Sequence, residues 1–169
     1  GYDLSREYLK EAAVEARKAK VKIRFLRGDM RRLKFSGEFD AVINMFTSFG
    51  YFSKFSDDIR TLKGAARALK PGGLFMLDIV HGDYVRKNLR SRNWLELGNG
   101  TYQLEETELT RDGALNTWTL VRQGKTQERS FFTRLYSKDR IAAALRKAGL
   151  TPLKFWGGFT GEKLTGRSV

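Results

Sequence analysis

Two apolar runs flank one amphipathic stripe, and this order restricts the architecture more than any other feature. "EFDAVINMF" is a continuous apolar segment from Phe39 to about Met45, of the kind a strand shows when both faces are covered. "LFMLDIV" is a second such run. Between them Ile59, Leu62, Ala65, Ala66 and Leu69 fall at three- and four-residue spacing, one apolar stripe of a helix that "KPGG" stops. Ser56 is the expected cap, with Asp57 and Asp58 in the first turn, where the helix dipole favours negative charge. Strand, helix, strand with short turns implies a parallel sheet with helices on its faces.

The flanks extend the pattern. Ser5 caps a helix expected to run to about Ala19, with Tyr8, Leu9, Ala12, Ala13 and Ala16 on one face. Tyr2 and Asp3 before it read as the end of a strand. Val21 to Arg27 alternates, Ile23 and Phe25 against Lys22 and Arg24, as a half-exposed strand does. After His81 the pattern changes. A short helix is expected around Tyr84 to Leu89. Then come three runs with strand chemistry, about Thr101 to Thr110, Leu115 to Gln123 and Glu128 to Tyr136, with "RDGA" and "QGKT" as hairpin turns between them. They read as an antiparallel insertion over residues 92–136, set within a domain spanning 1–169. Ser137 caps a last helix carrying Ile141, Ala142, Leu145 and Ala148, closed by Gly149. "LTPLKFWGGF" gives a further strand, and "GEKLTGRSV" leads towards another.

Composition narrows the partners. There is no Cys, hence no disulfide framework, no thiolate nucleophile and no thiolate metal site, and no metal is expected. The longest apolar runs are too short to span a bilayer, and a cytoplasmic protein without a membrane partner is expected. The 32 Lys and Arg exceed the 19 Asp and Glu by 13. That excess raises nucleic acid as a partner. The cluster from Arg17 to Lys34 alternates with apolar residues, however, which favours a solvated face. The pattern does not fix the oligomeric state.

Open α/β sheets bind ligands beyond the carboxyl ends of their strands. The polar residues expected there are Asp3, Asp29, Asn44 and the Asp78–His81 segment. Singly, each is as well explained as a turn residue or a cap. The set is more specific. "YDLS", "GDM" about 25 residues later, "FDAVINMF" and "LKPGGLFMLDIV" together resemble the class I S-adenosylmethionine-dependent methyltransferases. "NMFTSFGYF", and a β insertion ending in "RLYS" before a helix and "AGL", are similar to a small-molecule branch of that superfamily.

The resemblance implies a Rossmann-like sheet with the insertion as a lid, S-adenosyl-L-methionine as cofactor, and methyl transfer to an O, N or C atom of a small-molecule acceptor. An RNA or protein acceptor, or a non-catalytic binding protein, is the alternative. No "NPPY"-type sequence follows the "FDAVIN" strand, which counts against a base-modifying enzyme. The resemblance also implies roles. Asp3 would accept from the ribose hydroxyls and Leu4 would pack near the adenine. Asp29 would accept from the adenine amino group, beside the backbone of Met30. Asn44 and Phe46 would flank the cofactor. His81, the one histidine, is the candidate base, with Tyr51 next; a structural His81 is the competing explanation. Tyr51, Trp94, Arg134 and Tyr136 are candidate acceptor contacts, with Arg134 equally suited to a structural ion pair. Trp94 and Trp118 would wall a pocket or fill the lid's own core. Family members carry a first strand and a glycine-rich loop of the type "DLGCGTG" before the point matching Gly1, so the chain is expected to be part of a longer protein.

Overall fold

The structure is a computed structural model that describes residues 1–165 and Ser168. It has four helices and eight strands in three sheets among the described residues. Strands β1 (Tyr2–Asp3) and β2 (Leu26–Arg27) pair in parallel, and α1 (Arg6–Lys18) crosses between them. The Ser5 side chain caps α1 by accepting from the Tyr8 amide at 3.2 Å. β3 (Phe39–Asn44) and β4 (Leu69–Leu77) form a second parallel pair, joined by α2 (Phe55–Ala68).

Three expectations change here. The Val21–Arg27 strand shrinks to the two residues of β2, the only ones that find ladder partners on β1. Helix α2 starts at Phe55 with Lys54 at its cap and no side-chain cap bond, so Ser56 lies inside the first turn. The β3–β4 pair is covered on one face only. Phe75 and Leu77 pack onto a core of Ile59 and Leu62 from α2, Ile141 and Ala144 from α4 (Lys138–Lys147), and Tyr136 just before α4. Ile43, Leu74 and Met76, which alternate with them, are 68%, 60% and 41% exposed.

Beyond β4, α3 (Gly82–Asn88) leads into a four-stranded antiparallel sheet: β5 (Arg92–Gly98), β6 (Thr101–Leu109), β7 (Gly113–Arg122) and β8 (Lys125–Arg134). The sequence signals cover β6 to β8, while β5 is an additional edge strand. Every residue of β5 is exposed, so it carries no buried-face pattern to read. The segment "LTPLKFWGGF" forms no strand, only a single bridge between Trp156 and Lys163. The strand expected in "GEKLTGRSV" falls partly outside the described residues. No helix is long and apolar enough to cross a membrane.

Candidate active site

The candidate residues follow the carboxyl ends of the parallel strands, and the loop after β3 meets the end of β8 through Gly50 and Tyr51. Asp3 ends β1 with its carboxylate exposed, and one oxygen accepts the Ser5 amide at 2.7 Å. This Asx-type turn aims the side chain past the strand end. Asp29 follows β2 on the neighbouring strand and is brought close by Gly28. A side chain at Gly28 would collide with the Tyr2 ring, whose hydroxyl donates to the Asp29 carbonyl at 3.3 Å. Leu4 is 65% exposed, and its carbonyl accepts from Arg27 Nε at 3.1 Å.

Asp29 is more engaged than the sequence suggests. It caps a 3-10 turn, Met30–Arg32, and holds Arg31 through Nε at 3.0 Å and Nη2 at 2.6 Å. The guanidinium beside it lowers the Asp29 carboxyl to about 2 from 3.8. A depressed acid stabilises the fold above its unfolded pKa, and that contribution fades as pH falls towards the folded value. Asn at position 29 keeps an acceptor for the Arg31 amide but loses the charge. The melting-temperature gap between wild type and Asp29→Asn should therefore be largest above about pH 4 and close as pH approaches about 2. A gap that widens on acidification refutes the assignment.

The loop after β3 is conformationally unusual. Phe46 and Thr47 are both left-handed, each with φ +54°, a region that non-glycine residues rarely adopt. The Phe46 amide is held by Asp78 Oδ2 at 2.7 Å, which leaves its ring 82% exposed at the strand end. Asn44 ends β3 on the covered face. Its Oδ1 is buried and accepts nothing among the described residues, a costly arrangement that a ligand donor would relieve.

His81 caps α3 through its backbone and is bridged to Tyr136. Its Nδ1 lies 3.3 Å from the Ser168 carbonyl, a contact that assigns the proton to Nδ1. Nε2 lies 3.8 Å from Asp83. Tyr51 is 44% exposed and meets Phe131 of β8 at 5.9 Å between ring centroids.

Three proposed acceptor contacts stand elsewhere. Arg134 is 5% exposed and fully committed to the interior. Its Nε binds Asp58 Oδ2 at 2.7 Å, and its Nη2 donates to the Phe52 and Ser53 carbonyls at 3.1 and 2.9 Å. Tyr136, 2% exposed, donates to the same Asp58 oxygen at 2.7 Å and stacks on Phe49. Burial pushes the Tyr136 hydroxyl up and raises the Asp58 carboxyl despite its partners. Trp94 pairs with Leu104 and touches Tyr102 on the sheet face opposite that of Phe131. On the Phe131 face it is Trp118 that packs edge-on to Phe131, at 4.9 Å. Asp58 escaped the sequence reading because a first-turn acid already has a reason to be there. Its partners lie 76 and 78 residues away.

Comparison with known proteins bears on the fold. Residues 1–73 match the family described as "Methyltransferase domain". Over 85 residues, half of this chain, the sequence is 39% identical to "Putative methyltransferase YqeM" of Bacillus subtilis (strain 168). The matched stretch covers 34% of that relative. An S-adenosylmethionine-dependent methyltransferase from Clostridium acetobutylicum ATCC 824 superposes with a TM-score of 0.82 at 24% identity, over 97% of this chain and 68% of that one. The CcbJ methyltransferase from Streptomyces caelestis gives 0.84 at 16% identity, over 99% and 70%. The fold is the Rossmann-like one of these methyltransferase structures. The first of these structures is described as S-adenosylmethionine-dependent, and the residues present here fit that cofactor. The exposed Asp3 carboxylate and the orphaned Asn44 oxygen offer acceptors at the carboxyl ends of β1 and β3, and Leu4 and Phe46 offer uncovered apolar surface. Asp29 can join them only by sharing its carboxylate with Arg31.

Proposed function

We propose that the protein transfers a methyl group from S-adenosyl-L-methionine to an O, N or C atom of a small-molecule acceptor. The observation carrying this reading is Asn44 Oδ1, a buried acceptor without a partner among the described residues, at a strand end flanked by Asp78 and the strained Phe46–Thr47 turn. Asp3 binds the ribose hydroxyls, Asp29 and the Met30 backbone read the adenine, Leu4 packs against it, and Asn44 and Phe46 flank the methionine side. When bound, the cofactor supplies an already activated methyl group on a sulfonium. The chain's task is then to align the acceptor and exclude water. Residues 92–136 act as a lid: their sheet meets the loop after β3 through Phe131 and Tyr51.

An acceptor that arrives protonated needs a base. His81 Nε2 takes that proton while Nδ1–H stays on the Ser168 carbonyl. His81→Ala should lower turnover by about 100-fold, within the range for general bases, while S-adenosylhomocysteine affinity stays within about twofold. Unchanged turnover removes His81 as the base. Calorimetry tests the reading as a whole. S-adenosylhomocysteine should bind with micromolar or tighter affinity, and no heat of binding at high concentration ends the enzyme reading.

A further inference from the structure

Beyond β3 the antiparallel sheet turns one distinct face to the Tyr51 loop. Residue alternation puts Trp118, Phe131, Asn116 and Glu105 on that face, and Trp94, Leu104, Leu115 and Phe132 on the other. Trp118 and Phe131 meet edge to face at 4.9 Å, and Tyr51 adds a third ring 5.9 Å from Phe131. Trp118 and Tyr51 remain 43% and 44% exposed, so the rings form an open corner and not a closed core. The cation–ring contacts among the described residues fall on Phe52, Phe55, Phe132, Phe155 and Trp156, leaving these three unclaimed.

Glu105 is the direct cross-strand neighbour of Trp118. Its two carboxylate oxygens are held separately: Oε1 accepts from Gln103 Nε2 at 2.7 Å and Oε2 from Asn93 Nδ2 at 3.3 Å. A half-buried glutamate fixed by two amides has already lost its rotamer freedom, and each oxygen keeps a free lone pair. An aromatic corner beside an oriented carboxylate is the chemistry that binds ammonium groups, by ring quadrupole and by charge. The strand neighbour on the other side of Trp118 is Arg129, which is exposed and repels a cation there.

We propose that Tyr51, Trp118 and Phe131, with Glu105, bind an ammonium group of the acceptor. This assigns the acceptor to the amine-bearing small molecules and rests on the proposed methyl transfer for its purpose, but the binding site can be tested without it.

The probe is tetramethylammonium chloride, titrated into the protein and followed by ligand-observed proton NMR. Saturable binding in the millimolar range is expected, with tert-butanol, a neutral molecule of similar size, showing none. Trp118→Leu and Glu105→Gln should each weaken binding at least tenfold, and Arg129→Ala should leave it unchanged or tighten it. Equal binding of tert-butanol, wild-type affinity in both Trp118→Leu and Glu105→Gln, or loss of binding in Arg129→Ala overturns the proposal. S-adenosylhomocysteine affinity, measured on the same samples, should not move in any variant. If the wild type binds tetramethylammonium but no S-adenosylhomocysteine, methyl transfer fails and the ammonium site stands. The reverse result retains methyl transfer and removes the amine.

Discussion

Asp58→Ala lowers the unfolding free energy by about 3–5 kcal/mol, the usual cost of removing one partner from a buried ion pair. The reason lies in what remains. Arg134 is 5% exposed and Asp58 is wholly buried, so the guanidinium would keep its charge with only the Phe52 and Ser53 carbonyls to answer it. The Tyr136 hydroxyl loses its acceptor in the same step. For a domain of this size each kcal/mol moves the melting temperature by roughly 2–4 °C, so a fall of about 10 °C is expected in a thermal scan. The double variant Asp58→Leu with Arg134→Met discriminates the cause. It removes both charges and should recover much of the loss, because desolvating the pair consumes most of its attraction. A single variant costing under about 1 kcal/mol, or a double variant as unstable as the single, contradicts the account.

The second large effect falls on binding. Asp3→Ala should weaken S-adenosylhomocysteine by about 100-fold or more, measured by calorimetry. The carboxylate sits beyond β1, exposed and oriented by the Ser5 amide. Two charge-assisted bonds to neighbouring hydroxyls at about 1.5–3 kcal/mol each account for that loss. Folding stability should change little, since the group is exposed and carries no ion pair among the described residues. Asp3→Asn keeps the geometry and loses the charge, and should fall between the two. Wild-type affinity in Asp3→Ala would place the sugar elsewhere.

What the sequence disclosed follows from the range of the forces involved. Ser5 and Ser137 cap their helices as expected because a cap is settled within three residues. Both hairpin turns are legible for the same reason; Gln123 and Gly124 are left-handed at φ +50° and +72°. The apolar run of β3 signalled burial on both faces, yet Ile43 lies open, because coverage depends on what packs above the sheet and not on the strand's own composition. Among the candidates, Asp3 and Asn44 were legible as polar residues at strand ends and Asp29 as one just past an end, whereas His81, expected to close its strand, lies beyond β4 as the cap of α3. That Asp29 is clasped by Arg31 could have been suspected from its two-residue spacing, which brings an arginine back onto a capping acid. Arg134 and Tyr136 were read towards the acceptor because their alternation on the third run is real. Nothing local records that a buried acid on α2 draws both inward.

The Arg134 clamp also decides where the antiparallel sheet can give. Its β8 end is bolted to α2 through Asp58 and to the neighbouring loop through Gly50, whose carbonyl accepts the Arg134 amide at 2.7 Å. The far margin lacks such an anchor among the described residues: β5 is tied only to its neighbour β6, and the pair closes through Gly98, Asn99 and Gly100, all left-handed. Compliance is therefore graded across the sheet, from a stiff root to a yielding rim. Amide exchange should begin at that rim and be slow at the β7–β8 root beside Arg134, and molecules of changing size would find passage under the β5 margin with the Asp58 anchor undisturbed.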